Sequence, residues 1–194
     1  MLGKAAIAMW WDVPSEVRSE WEEWHTVEHM PERLSIPGFL RGTRWIAGES
    51  SYFVLYETAE LAAITSGPYL DRLNNPTPWS RKMMPHHRNM VRSLCLVRAS
   101  HGHGLPGALA TVRFSRGKDL PQLPSRQGVT GAHLLEAQPM PVTTEEQRIR
   151  GGDATADWVL LVGGYDAGAV EQAARQPAEA VRGLYRLSYT LAKT

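Results

Sequence analysis

The fold of this chain is constrained most by one order of strands and helices that occurs twice. In the first half, runs of apolar residues predict strands over 5–11, 39–46, 52–56 and 90–97. Helical spacing predicts a helix from about Ser15 to Met30, and Pro31 then marks a break or the first turn of a short second helix. A further helix is predicted from Thr58 to about Leu73, followed by a loop rich in Pro, Met and His. The resulting order, β-α-β-β-α-β, is that of a ferredoxin-like unit.

The same order recurs less completely after a joint of Gly and His residues at 101–107. Strands are predicted over 108–114, 131–137, 158–163 and 183–191, and a short helix over 169–175. A Pro-rich stretch from Leu120 to Pro124 stands where the first helix of this unit belongs. We therefore predict two tandem units, 1–99 and 106–194, of which the second is degenerate.

Each predicted unit has an antiparallel sheet with helices on one face only, so the other face of the sheet needs a cover. The simplest cover is the sheet of the sister unit. The sequence therefore predicts an α+β fold in which two antiparallel sheets pack face to face as an α+β barrel.

Composition excludes several classes of protein. A hydrophobic content of 43% is enough for a folded core, and 21 Lys and Arg against 20 Asp and Glu leave a net charge of +1. No global field then attracts nucleic acid or an anionic membrane, and we expect neither as a partner. The single cysteine, Cys95, excludes an intrachain disulfide and a cysteine-rich metal centre. We expect a cytoplasmic protein without a signal peptide or a membrane span.

The predicted first helix carries an unusual face. A helical wheel places Trp21, Trp24, His25 and Glu28 on one side, with Glu32 beside them if the helix continues. Two interpretations stay open at this point. The tryptophans pack the helix onto its sheet beside a solvated edge, or the face forms the wall of a small-molecule pocket, where burial shifts the pKa values of the polar groups.

The segment His25-Thr-Val-Glu-His29 also matches the H-x-x-E-H pattern, in which two histidines one helical turn apart bind a metal and the Glu acts as a base. A catalytic zinc needs a third protein ligand, and Glu28, Glu32, His86 and His87 give no single choice. A metal-dependent enzyme using His25, Glu28 and His29 is therefore an alternative, and we expect no metal and no organic cofactor.

The stretch from Trp24 to Trp45, with its His29-Met-Pro-Glu and Pro37-Gly-Phe motifs, resembles the EthD-like branch of the dimeric α+β-barrel superfamily. The runs 52–57, 66–69 and 76–81 are similar to the same group, and the resemblance covers about residues 5–98. It implies an α+β barrel and a cofactor-independent enzyme that acts on hydrophobic or aromatic carbonyl compounds, such as a decarboxylase, a dehydratase or a small oxygenase. The resemblance makes His29 the first candidate for the general acid or base.

The candidate residues fall into two groups. Histidine is suited to proton transfer near neutral pH, and aromatic side chains with one arginine suit an apolar, carboxylate-bearing ligand. The catalytic candidates are His29, Glu28, His25, His86 and His87. The substrate-binding candidates are Trp11, Trp21, Trp24, Arg44, Tyr56, Tyr69 and Trp79, although core packing also explains some of these aromatic residues.

These features predict an enzyme that uses histidine-centred acid/base chemistry on a small hydrophobic, aromatic or keto-acid-like molecule. Lyase chemistry, decarboxylation or dehydration, is preferred to cofactor-free oxygenation because the sequence shows no redox centre. The alternative from a different class is a non-catalytic barrel that binds a ligand. Because each unit leaves edge strands or helix faces open, we also expect a homodimer.

Overall fold

Eight strands account for most of the regular structure in the computed structural model, which describes residues 1–115, 124–139, 143–175 and 179–193. They are β1 (Ala5–Asp12), β2 (Phe39–Ala47), β3 (Ser51–Thr58), β4 (Arg88–Gly102), β5 (Ala108–Phe114), β6 (Val129–Gln138), β7 (Trp158–Gly164) and β8 (Val181–Ala192). The helices are α1 (Arg18–Trp24), α2 (Met30–Ser35), α3 (Gly67–Asn74), α4 (Pro78–Met83), α5 (Glu145–Arg150) and α6 (Ala167–Ala173). The predicted strands are all present.

The strands close into an antiparallel barrel in the order β1-β3-β2-β8-β5-β7-β6-β4. This confirms the α+β class and the α+β barrel. The relative order β4-β1-β3-β2 recurs as β8-β5-β7-β6, and on that basis we propose that the chain is divided into units 1–99 and 106–194. The homodimer stays a prediction that light scattering can check. No helix in the described ranges is long and apolar enough to cross a membrane.

The two faces of the barrel wall are packed differently. Trp10 points into the barrel, where it contacts Phe53 with ring centroids 4.9 Å apart and donates from Nε1 to Thr111 Oγ1 at 3.0 Å. Its neighbour Trp11 points out of the barrel and packs under the helices with Trp21. This opposite placement follows from the alternation of side chains along a strand. Large side chains therefore fill the interior, and burial of each contributes roughly 1.5–3 kcal/mol.

The predicted helix from Ser15 changes geometry along its length, and Pro31 lies in the first turn of a short second helix, α2, which confirms one of the two alternatives for this proline. A 3₁₀ turn at Ser15–Val17 leads into α1, and His25–His29 then form a π-helical turn before α2. Pro31 has no N–H, and its ring would clash with the carbonyl of the residue four positions earlier in a regular α-helix. A π turn widens the helix there, so the chain accommodates the proline without a break.

Three other helical segments differ from the sequence predictions. The helix expected from Thr58 to Leu73 is instead a 3₁₀ turn followed by α3, because the Ser66 hydroxyl accepts from Tyr69 N and starts a new helix. The loop expected before β4 contains α4, which the Thr77 hydroxyl caps. Helix α5 was not predicted. The Pro-rich stretch from Leu120 to Pro124 lies outside the described residues except for its last residue.

Candidate functional site

A small buried cavity lies between the outer face of the barrel and the helical layer. It has a volume of about 30 Å³. Strands β1, β3 and β4 supply one wall, and the π turn, α2, α3 and α5 supply the other. The lining residues are Met9, Trp11, His25, His29, Arg33, Tyr56, Tyr69, Leu73, Met84, His87, Met90, Arg92, Glu146 and Arg150.

Three histidines meet at this cavity. His25 and His29 begin and end the π turn, and their ring centroids are 5.6 Å apart. His87 comes from the segment between α4 and β4, and its ring lies 4.7 Å from that of Trp11. All three side chains are buried. The π turn thus brings two histidines of one helix to the cavity, in agreement with the frequent placement of such turns at functional sites.

Five buried polar atoms around the cavity have no hydrogen-bond partner among the described residues. They are Trp11 Nε1, His25 Nδ1, His29 Nδ1, Tyr56 Oη and His87 Nδ1. An unpaired buried polar group costs about 1–3 kcal/mol, so native proteins pair the large majority of them. Five in one cavity are therefore a set of groups that a bound molecule or water would satisfy.

Burial keeps the three imidazoles neutral. Desolvation is the main cause that lowers the pKa of His25 and His29 well below the ordinary value, and nearby arginines lower it further. Desolvation also lowers the pKa of His87 to about 3. At neutral pH each ring therefore has one nitrogen that can accept a proton and one N–H that can donate a hydrogen bond.

A buried ionic network forms the far wall of the cavity. Arg33 forms a salt bridge with Glu146, and a second one with Glu32 at 3.2 Å. Arg150 binds Asp153 through two hydrogen bonds of 2.7 Å. The side chains of Arg33 and Glu146 are only 3% and 4% exposed, so each charge depends on its partner.

One further arginine of this wall contacts a predicted site residue. Arg92 Nη2 donates to the Tyr69 hydroxyl at 2.7 Å, and Arg92 Nη1 lies 3.9 Å from the Asp153 carboxylate. Four charged residues of this wall were not predicted from the sequence: Arg33, Arg92, Glu146 and Arg150. The spacing of Glu146 and Arg150, one helical turn apart, was the one signal that pointed to their pairing.

The predicted residues are distributed in and around this cavity. His25, His29, His87, Trp11, Tyr56 and Tyr69 line it. Trp21 and Trp24 lie behind the histidines. Trp21 Nε1 donates to His87 Nε2 at 2.8 Å, and the Trp24 ring packs on His29 with centroids 4.5 Å apart.

Four further predicted residues also lie outside the lining. Glu28 accepts from the Thr77 hydroxyl at 2.6 Å and from Trp24 Nε1 at 3.2 Å. Arg44 donates to the carbonyl of Glu22 at 3.1 Å, and Trp79 donates to Glu20 at 3.2 Å. The partly exposed ring of His86 is absent from the cavity wall.

The described residues contain no group of three or more His, Cys, Asp or Glu side chains arranged to hold a metal ion. In the H-x-x-E-H segment, the carboxylate of Glu28 is turned to Thr77 and Trp24, whereas His25 and His29 face the cavity. The segment therefore divides its polar groups between two environments.

The fold and the cavity define a class of protein, an α+β barrel with a histidine site between its sheet and its helices. No family model matches the chain, and no curated protein is significantly similar to it. Solved structures with this fold include an anthrone oxidase-like protein, at a TM-score of 0.61 and 10% identity over 97% of this chain and 93% of that one. A candidate monooxygenase from Fusobacterium nucleatum has a TM-score of 0.54 and 8% identity over 100% and 96% of the two chains. These likenesses establish the fold.

Proposed function

We propose that this protein is a cofactor-independent enzyme that oxidises a small aromatic carbonyl or phenolic compound with molecular oxygen. The observation that carries the proposal is the set of five unpaired polar atoms, three of them on neutral histidines, around one buried cavity. The likeness of the fold to a candidate monooxygenase and an anthrone oxidase-like protein supports it. The resemblance of residues 5–98 to EthD-like proteins points to the same class of substrate.

The reaction begins with proton transfer. A neutral His29 accepts a proton from an acidic C–H or O–H of the substrate, which leaves an enolate or phenolate in the cavity. The positive charges of Arg33 and Arg150, on the cavity wall, favour the anionic form of the substrate. Burial of His29 makes its imidazolium costly by itself, but the adjacent anion compensates for that charge.

The electron-rich anion then supplies the electrons that reduce oxygen. For a substrate with a CH₂ group beside aromatic rings, carbon bonds to one atom of O₂, and the His29 imidazolium returns its proton to the resulting peroxide. Loss of the second C–H proton and cleavage of the O–O bond release water and leave a C=O group. The carbon is oxidised, O₂ is reduced, and the sum is CH₂ + O₂ → C=O + H₂O.

Because the substrate anion itself supplies the electrons, oxidation by O₂ needs no redox centre in the protein. The preference for lyase chemistry over oxygenation therefore loses its basis. That preference assumed that oxygenation needs a visible redox centre, whereas an enolate is itself the reductant here. The comparisons also favour oxygenase over lyase chemistry. Decarboxylation or dehydration by the same histidines remains the second candidate, because a histidine can take the proton lost in dehydration or supply the proton that replaces CO₂.

The cavity must open to admit such a substrate. A cavity of roughly 150 Å³ holds one benzene ring, whereas this one has a volume of about 30 Å³. Met9, Met84, Met90 and Leu73 line it, and methionine changes rotamer at low cost. We propose that these side chains move aside on binding.

Oxygen consumption with anthrone as the substrate tests the function. We expect stoichiometric O₂ uptake, and we expect His29→Gln to lower kcat by about a hundredfold or more because a general base is lost. His86→Gln, outside the cavity, is the matched control. The unfolding temperature of both variants should remain near that of the wild type.

Each alternative gives a different result in the same assay. Product formation without oxygen uptake, tested with aromatic keto acids, would identify a lyase. A ligand that co-purifies with the protein, with no turnover of any compound, would identify a binding module. Stoichiometric metal that is lost in His25→Ala and His29→Ala would identify the metal-dependent alternative.

A further inference from the structure

The hydrogen bond between Trp21 and His87 fixes the position of one proton in the cavity. An indole N–H only donates, so His87 Nε2, 2.8 Å from Trp21 Nε1, is the acceptor and carries no proton. The buried ring is neutral at physiological pH. Its single proton therefore lies on Nδ1, one of the five atoms without a partner among the described residues.

A second donor of the same kind is next to it. Trp11 Nε1–H is buried, unpaired among the described residues and unable to accept a hydrogen bond. The rings of Trp11 and His87 are 4.7 Å apart and inclined by 30°. Both residues line one cavity of about 30 Å³, so a small group in that cavity borders both rings.

We propose that Trp11 Nε1–H and His87 Nδ1–H together bind one oxygen atom of the substrate, a carbonyl oxygen that becomes an enolate or phenolate oxygen. Trp21 is then a positioning residue that holds His87 in the Nδ1–H tautomer. The choice of an oxyanion as the bound group rests on the function proposed above.

The chemistry of the wall supports a single oxygen rather than a carboxylate. Arg33 and Arg150, which would hold a carboxylate bidentately, are already bound to Glu146 and Asp153. Neutral groups remain for the ligand, and among the unpaired atoms Trp11 Nε1 and His87 Nδ1 are the two whose role as donors is fixed. Fixed N–H dipoles in a buried site stabilise an oxygen more strongly as negative charge develops on it, which is the requirement for forming an enolate.

The tautomer can be measured without any ligand. In ¹⁵N-labelled wild-type protein, two-bond ¹⁵N–¹H correlation spectra should show His87 as the Nδ1–H form. Trp21→Phe removes the fixed donor and should convert His87 to a mixture of tautomers or to the Nε2–H form. Trp24→Phe is the matched control, because Trp24 Nε1 donates to Glu28 and Ser80 instead, and His87 should remain Nδ1–H.

Oxygen recognition is tested with 4-nitrophenol, whose phenolate absorbs visible light, and with nitrobenzene, which lacks the hydroxyl group. We expect the acid dissociation constant of 4-nitrophenol to be about tenfold or more higher in the bound state than in water, which means a lower pKa. The reason is that neutral donors and nearby arginines favour the phenolate. Trp11→Phe and Trp21→Phe should each lose most of this shift. Nitrobenzene should bind at least about tenfold more weakly than 4-nitrophenol, since its nitro oxygens are weaker acceptors than a phenolate oxygen.

Finding the proton of His87 on Nε2 in the wild-type protein would overturn the inference. This measurement needs no variant, so it holds even if a variant fails to fold. Equal binding of the two probes, or no binding of 4-nitrophenol at millimolar concentration, would also overturn it. Turnover is not part of either measurement. A protein that passes both tests and consumes no oxygen would instead refute the proposed oxidation.

Discussion

The neutral state of His87 predicts a measurable dependence of stability on pH. Folding lowers the pKa of its imidazole from 6.5 to about 3, mainly through desolvation. Between these two values the unfolded chain binds a proton at this position and the folded protein does not. Lowering the pH therefore favours the unfolded state.

The size of the effect follows from the same values. At about pH 5, the pH is 1.5 units below the unfolded pKa, and each unit corresponds to about 1.36 kcal/mol. One histidine then removes about 2 kcal/mol from the free energy of unfolding between pH 7.5 and 5. The free energy of unfolding is therefore highest, as far as His87 is concerned, above about pH 6.5. It falls progressively as the pH drops from 6.5 to about 3.

Urea unfolding at about pH 7.5 and pH 5, followed by circular dichroism, measures this term. His87→Gln should reduce the loss of stability between the two pH values by about 2 kcal/mol, although carboxylates and other histidines contribute to the total in both proteins. His86→Gln changes the adjacent, partly exposed side chain and should keep the full wild-type loss. Equal losses in the wild type and His87→Gln would refute the view that this ring is buried and neutral.

Two further predictions concern stability. Arg33→Met should lower the free energy of unfolding by about 3–5 kcal/mol because it leaves the Glu146 carboxylate buried without its main partner, and Arg33→Met with Glu146→Leu should recover most of that loss in chemical denaturation. Trp10→Phe loses the bond to Thr111 and leaves a void in the barrel, whereas Trp11→Phe leaves a similar void but removes an unpaired N–H. Trp11→Phe should therefore cost about 1–3 kcal/mol less than Trp10→Phe, and equal costs in urea titrations would contradict the different environments of the two rings.

The strands could be predicted from the sequence, whereas the helices could not be predicted in detail. A buried strand is a run of apolar residues bounded by Gly or Pro, and 5–11 and 158–163 show this pattern clearly. Helix α5 has only six residues, of which five are charged or amide side chains, so it lacks an apolar period. Its evidence in the sequence was limited to the capping box of Thr144 and Gln147.

The site was predicted in part for a similar reason. Helical spacing places His25 beside the tryptophans whether the helix is regular or contains a π turn, so its face was evident from the sequence. Nothing local distinguishes His86 from His87, because they are adjacent and follow the same Met-Pro pair. Burial of His87 depends on contacts with Trp11 and Trp21, which come from distant parts of the chain.

The two faces of the barrel wall differ in how their buried polar groups are paired. Trp10, Trp45 and Phe53 fill the interior with apolar atoms, and Trp10 and Trp45 satisfy their indole N–H groups there. Apolar burial supports both faces, because the largest described cluster of buried apolar side chains lies outside the barrel, around Trp11 and Trp21, and a cavity of about 40 Å³ borders Trp45 inside it. Between the sheet and the helices, the chain instead keeps polar groups that lack partners, each at a cost in stability. The outer face of the sheet therefore both supports the fold and retains unpaired groups for the proposed chemistry.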